Sequence, residues 1–162
     1  MKFRMYMVVG SLIAILIIAL ALLVVLPSMS SDPSARFKDA GALYSKSVDL
    51  ANEGKYEEAL NAADNALALN VPQLVPVIQS NRAGILVMLG RDREAITAAD
   101  VALSSNENLT TVFSIAYFNK GNALKNLGRI DEANAAYAKA HELDNSLVPP
   151  DLSSVLVPST PT

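Results

Sequence analysis

The sequence predicts an all-α fold, three stacked helix pairs preceded by a single membrane-length helix, and three observations predict it. First, a glycine, a basic residue and, three positions later, Glu-Ala recur. They read Gly54-Lys55-Tyr56-Glu57-Glu58-Ala59, Gly90-Arg91-Asp92-Arg93-Glu94-Ala95 and Gly128-Arg129-Ile130-Asp131-Glu132-Ala133. The glycines are 36 and 38 positions apart, a self-similar spacing that signals stacked helical repeats. Second, small apolar residues return after each glycine at offsets that share one helical face. They are Ala59, Ala63 and Ala66, then Ala95, Ala99 and Ala102, then Ala133, Tyr137 and Ala140. Third, Met7 to Leu26 holds neither charge nor proline. At about 1.5 Å rise per residue it spans roughly 30 Å, the thickness of a bilayer core. No strand pattern is evident.

The chain divides in order. Residues 1–6 are a flank carrying Lys2 and Arg4, which the positive-inside rule assigns to the cytoplasm. Arg36 and Lys38 lie close on the other side and weaken that bias. Residues 7–26 are predicted as a transmembrane helix that stays as a signal anchor, because a secretory signal has an apolar core of only about 7–15 residues. Ser28-Met29-Ser30 is a tolerable cleavage site, so secretion after cleavage is the alternative. Gly10-x-x-x-Ala14 would let two such helices approach closely. Residues 27–31 are a linker that reaches at most about 18 Å, so the following domain sits near the membrane, outside the cytoplasm in this reading.

Residues 32–147 read as helical. Asp32-Pro33 is a good start, with Asp as N-cap and proline at the first helical position. Breaks fall at Gly54, Gly90 and Gly128, and around Asn70–Pro76 and Ser104–Asn108. Three pairs result, with helices of about 14–18 residues. Each glycine ends the first helix of its pair in a left-handed conformation. Leu50, Leu86 and Leu124 precede the glycines by four residues, and Ser47, Ala83 and Gly121 by seven. The slip in spacing from 36 to 38 predicts an imperfect stack. Residues 148–162, rich in proline, serine and threonine, are predicted to be irregular. Leu152 and Val155-Leu156-Val157 can fold back over the open end of the array; a partner or a second copy is the alternative cover.

After residue 26 the chain carries 11 basic and 16 acidic residues, a net charge of −5. That argues against a nucleic-acid surface, which needs clustered positive charge. There is no cysteine, so no disulfide, thiolate ligand or thiol nucleophile exists. His141 is the single histidine and reads as a solvated residue late on the last helix. Glu57-Glu58 and Asp131-Glu132 sit in first turns of helices, where they offset the helix dipole. No catalytic constellation, cofactor motif or metal-ligand spacing emerges. Asn108-Leu109-Thr110 is the one N-glycosylation acceptor pattern.

The region 32–147 resembles the tetratricopeptide repeat (TPR) family, as three repeats over about 40–73, 76–109 and 114–147. The third carries the resemblance best: Tyr117-Phe118-Asn119-Lys120-Gly121-Asn122-Ala123-Leu124, then Gly128, Ala133, Tyr137, Ala140 and Leu143-Asp144. The second is degenerate, with Gln79, Asp92 and Ser105 at apolar positions of the family pattern. The resemblance implies an α-solenoid whose first helices line a concave groove. It places Tyr44, Ser45, Val48, Asn81, Gly84, Phe118, Asn119, Asn122 and Lys125 on that groove. Such a groove implies a protein or extended-peptide partner, with asparagine amides bonding its backbone and Tyr44 and Phe118 anchoring apolar side chains. It also implies an interaction protein, not an enzyme. Members that grip a chaperone's C-terminal carboxylate use lysine, arginine and asparagine at five groove positions. Here Tyr44, Val48, Asn81, Ile115 and Asn119 stand there, and only Asn81 fits. The expected partners are therefore a peptide or subunit in the groove and lipid around residues 7–26, with association of two copies through the last repeat left open. The alternative is an accessory subunit of a membrane complex, held by its transmembrane helix and last repeat.

Overall fold

The structure, a computed structural model, describes residues 32–147. The predicted flank, membrane helix and linker of residues 1–31 and the tail of residues 148–162 lie outside the described residues. Among the described residues no helix is long and apolar enough to cross a membrane. Six α-helices appear there: α1 (Pro33–Asn52), α2 (Tyr56–Ala68), α3 (Val75–Met88), α4 (Asp92–Leu103), α5 (Thr110–Asn126) and α6 (Ile130–Leu143). A short 3-10 turn, Pro72–Leu74, precedes α3. Helix lengths run from 12 residues in α4 to 20 in α1, a wider range than the sequence predicts.

The three repeated blocks form three copies of one turn. Gly54, Gly90 and Gly128 take φ of 76°, 70° and 73°. A Cβ on any of them would meet nothing within 4 Å, so the backbone conformation, not space, demands glycine. Each turn closes with the same two bonds. Gly54, Gly90 and Gly128 N–H donate to Ala51, Val87 and Lys125 O at 3.0, 3.0 and 2.9 Å. The following Lys55, Arg91 and Arg129 N–H donate to Leu50, Leu86 and Leu124 O at 2.9, 2.8 and 2.9 Å. This is the Schellman arrangement, and it satisfies carbonyls that the helix end leaves open. The basic residue then begins the second helix, its carbonyl accepting from Ala59, Ala95 or Ala133 N–H. Asn70 does the glycine's work after α2, at φ 52°.

The core is built largely from alanine. Ala59, Ala63 and Ala66 and their counterparts in α4 and α6 are buried, with Leu86 and Leu124. Burying a leucine side chain contributes about 1.5–3 kcal/mol, and alanine lets the helices close around it. Small residues of the first helices sit against the second helices. Ser47 faces Ala59, its hydroxyl donating to Ala59 O at 2.8 Å. In the third pair Gly121 faces Tyr137, whose ring would lie 2.5 Å from a Cβ at Gly121. The tyrosine fills the space the glycine leaves.

Each second helix packs on the first helix of the next pair, α2 on α3 and α4 on α5, and α3 also packs on α5. The extra residues of the 38-residue spacing lengthen α5 to 17 residues against 14 in α3. Proline explains the difference, because Pro76 is tolerated only in the first turn of a helix and so confines the start of α3 to Val75. The slip in spacing is taken up as helix length.

Candidate functional site

The nine predicted groove residues all fall on α1, α3 and α5, the first helices of the three pairs. Tyr44, Ser45 and Val48 lie on α1, Asn81 and Gly84 on α3, and Phe118, Asn119, Asn122 and Lys125 on α5. They occupy corresponding places, since Ser45, Asn81 and Asn119 each precede their turn glycine by nine residues. Two contacts show that these faces adjoin. Asn81 Nδ2 on α3 donates to Ser47 Oγ on α1 at 3.0 Å. Asn119 Nδ2 on α5 donates to Ser80 O on α3 at 3.1 Å.

Those bonds assign Asn81 and Asn119 a structural part. Each reaches back from its own helix and braces it to the preceding pair. Ser45, the counterpart in the first pair, is exposed, and the described residues hold no pair before it. Gly84 serves the same packing, because a Cβ there would come within 3.1 Å of Asn119 Nδ2. Asn122 Oδ1 accepts from the Tyr137 hydroxyl at 2.9 Å. The Phe118 and Tyr137 rings meet at 5.7 Å with an interplanar angle of 55°, within the range where tilted aromatic pairs attract.

The remaining positions present side chains. Tyr44 is half-buried against Ala63, Ala66 and Ile78, and burial pushes its phenol pKa up. Val48 and Phe118 are half-buried, and Lys125 is exposed in the last turn of α5. Ile115, one of the positions where a carboxylate clamp needs a cation, is 41% exposed. The surface offers apolar anchors, with Lys125 the one cation among the nine positions.

Further inter-pair bonds escaped the sequence reading. Arg82 Nε donates to Asp64 Oδ1 at 2.7 Å, and Lys120 Nζ to Asp100 Oδ1 at 2.6 Å. Both cations precede their glycine by eight residues, and both aspartates follow theirs by ten. That recurrence was a usable signal. Asn126 Nδ2 adds a bond to Asp92 Oδ1 at 2.9 Å.

The arginines that follow the second and third turn glycines pair at the surface. Arg91 grips Glu94 and Arg129 grips Glu132 with paired bonds of 2.7 and 2.8 Å. His141 differs from expectation: it is half-buried, with Nδ1 shielded and unpartnered. Among the described residues no group of three His, Asp or Glu is placed to hold a metal ion.

Comparison with known proteins bears on the same region. Residues 114–147 match the family model of the tetratricopeptide repeat. The TPR repeat-containing thioredoxin TDX of Arabidopsis thaliana is 28% identical over 73% of this chain, which spans only 31% of that relative. The first TPR domain of human RPAP3 aligns with a TM-score of 0.60 and 24% identity, over 73% of this chain and 87% of the domain. The first TPR of Spaghetti (RPAP3), solved bound to the HSP90 peptide SRMEEVD, gives 0.58 and 25%, over 75% and 95%. The Sgt2 TPR domain of Aspergillus fumigatus gives 0.60 and 22%, over 80% and 78%. The chain carries a tetratricopeptide repeat at residues 114–147, within an all-α helical array of the fold these TPR domains adopt.

Proposed function

We propose that this chain is a membrane-tethered protein-interaction module that holds an extended peptide or a subunit against its first helices. The observation that carries the reading is the side-by-side register of α1, α3 and α5, which aligns Tyr44, Val48, Ile115 and Phe118 as partly exposed apolar positions. The Spaghetti TPR bound to an HSP90 peptide supports a peptide as occupant of such a fold. The charge of this surface points to a different peptide. SRMEEVD is acidic, whereas Tyr44, Val48, Ile115 and Asn119 stand where a clamp needs other groups. A neutral segment with apolar side chains suits it better, since an unpaired carboxylate gains nothing there and loses hydration. Tethering is carried by residues 7–26 and the charge bias of Lys2 and Arg4, which orient the helical domain outside the cytoplasm.

The test uses positions that do not hold the stack together. Ser45→Arg/Ile115→Arg should abolish capture of partners from solubilised membranes while leaving the melting temperature unchanged. Wild-type capture by that variant removes the groove reading. SRMEEVD should bind with a Kd no tighter than about 100 μM, roughly −5.5 kcal/mol.

A second reading has its own observation. Leu127 and Ile130, flanking the last turn, are 37% and 51% exposed. Their counterparts in the second pair are Leu89, half-buried against the core, and Asp92, bonded to α5. An open apolar end suits an accessory subunit held through its last repeat. Ile130→Asp would then release the complex, and Ser45→Arg/Ile115→Arg would not.

A further inference from the structure

We propose that Asn108 is the acceptor of an N-linked glycan, attached on the far side of the membrane by an oligosaccharyl transferase. The proposal rests on the orientation given above, with the helical domain outside the cytoplasm.

Several asparagines of the described region spend their side chains on the fold. Asn81, Asn119, Asn122 and Asn126 bond across helices, and Asn65 bonds Asn61 within α2. Asn108 bonds across nothing. It sits in the loop between α4 and α5 and is exposed. It is also the single asparagine followed two positions on by a serine or threonine.

The loop holds it in a defined pose. Leu109 N–H donates to Glu107 O at 3.0 Å, a tight turn with Asn108 at its centre. Glu107 N–H donates to Ser105 Oγ at 3.2 Å and steadies the approach. Leu109 is the N-cap of α5, and no side chain caps that helix, so the Asn108 amide is not spent on the helix end. The Thr110 hydroxyl donates to Asn108 Oδ1 at 3.1 Å. That bond uses the carbonyl oxygen, fixes the carboxamide and leaves Nδ2, the atom to be modified, without a protein partner. Exposure, a turn and the hydroxyl partner occur together here, at a place where added bulk meets solvent instead of the core.

The transfer balances without a redox partner. Asn108 Nδ2 forms a bond to the anomeric carbon of a sugar carried on a polyprenyl phosphate. The bond from that carbon to the phosphate oxygen breaks, the carrier leaves as its phosphate, and one amide proton goes to a base of the transferase. The α4–α5 loop lies at the end of the helices opposite the glycine turns, so the glycan leaves the faces of α1, α3 and α5 open.

The experiment is intact mass spectrometry of the full-length chain purified from membranes of its native host. The expected mass exceeds that of the polypeptide by one glycan. The increment should vanish in Asn108→Gln and in Thr110→Ala and persist in Thr110→Ser. Leu147→Thr, which turns the exposed Asn145 into an acceptor, reports separately on the compartment. A glycan on that variant's Asn145 but none on Asn108 overturns the proposal and leaves the orientation standing. Absence from both overturns the proposal and the orientation together.

Discussion

The junction between the first and second helix pairs and the junction between the second and third use the same register but not the same number of bonds. At the first, Arg82 meets Asp64 and Asn81 meets Ser47. At the second, Lys120 meets Asp100 and Asn119 meets Ser80 O. The second adds Asn126 to Asp92, and Ser80 Oγ to Val112 O at 3.2 Å. The lesson concerns the middle repeat, which departs furthest from the family pattern. One of its named departures, Asp92, is a junction partner, and so is Ser80 beside Gln79. Asp92 stands where an apolar residue is expected and accepts from Asn126; Ser80 takes the place of Tyr44 and Phe118 and bonds α5 twice. Degeneracy as a repeat is here specialisation as a neighbour.

The largest test of that difference is steric. Gly121→Ala would set a Cβ 2.5 Å from the Tyr137 ring and should destabilise by about 1–3 kcal/mol or more, since neither helix can yield without moving its neighbours. Gly41 on α1 is the control, with nothing within 4 Å of its Cβ position. Gly41→Ala should stabilise by about 0.5–1 kcal/mol through helix propensity. Chemical denaturation of both variants decides it. Equal effects would mean that the third pair is no more tightly fitted than the first.

A second test concerns order of opening. The extra bonds at the second junction predict that α3 to α6 unfold as one unit and that α1 and α2 open first. Native-state hydrogen exchange should show the lowest protection in α1 and α2. Asp92→Ala/Ser80→Ala, by deleting the added bonds at a cost of about 1–2 kcal/mol, should level that difference. Uniform protection in the wild type would break the comparison.

Much of this fold was legible because its signals are local and repeated. Gly54, Gly90 and Gly128 need positive φ, a single-residue requirement that repeats at a fixed interval. The buried alanine face follows from helical geometry alone. Candidate groove positions were legible as places on helices but not in their roles. Asn81 and Asn119 look like ligand-binding amides in the sequence, and which partner an amide chooses depends on the helix beside it. The burial of His141 was equally out of reach, because it depends on packing at the end of the array.

A third, smaller test separates braces from ligand groups. Asn119→Ala should cost about 0.5–1.5 kcal/mol, as loss of one partly buried hydrogen bond. Lys120→Met should cost at most about 1 kcal/mol, because its partner Asp100 is exposed and solvent screens the pair. If Asn119→Ala leaves the denaturation midpoint unchanged but abolishes peptide capture, the amide is a ligand group and the brace is incidental.

The smallest expected effect lies in the turns and is read by pH. Hydrogen bonds from Arg91 and Arg129 hold the carboxyls of Glu94 and Glu132 below the ordinary glutamate value of 4.5. The first turn has no such carboxylate grip; Lys55 there pairs with Glu53, two residues before it. Because the folded pKa values are depressed, the unfolded chain binds more protons once pH falls below about 4.5. The stability these pairs contribute is therefore full above that value and lost as pH falls through the folded-state values. Acid should erode the second and third turns through this route. Melting curves from about pH 6 to about pH 3 should fall less steeply for Glu94→Gln/Glu132→Gln than for the wild type. Both side chains are exposed, so the difference should also shrink in high salt, as screening weakens exposed pairs. An identical acid slope for wild type and variant would show that these paired bonds close the turns geometrically without adding stability.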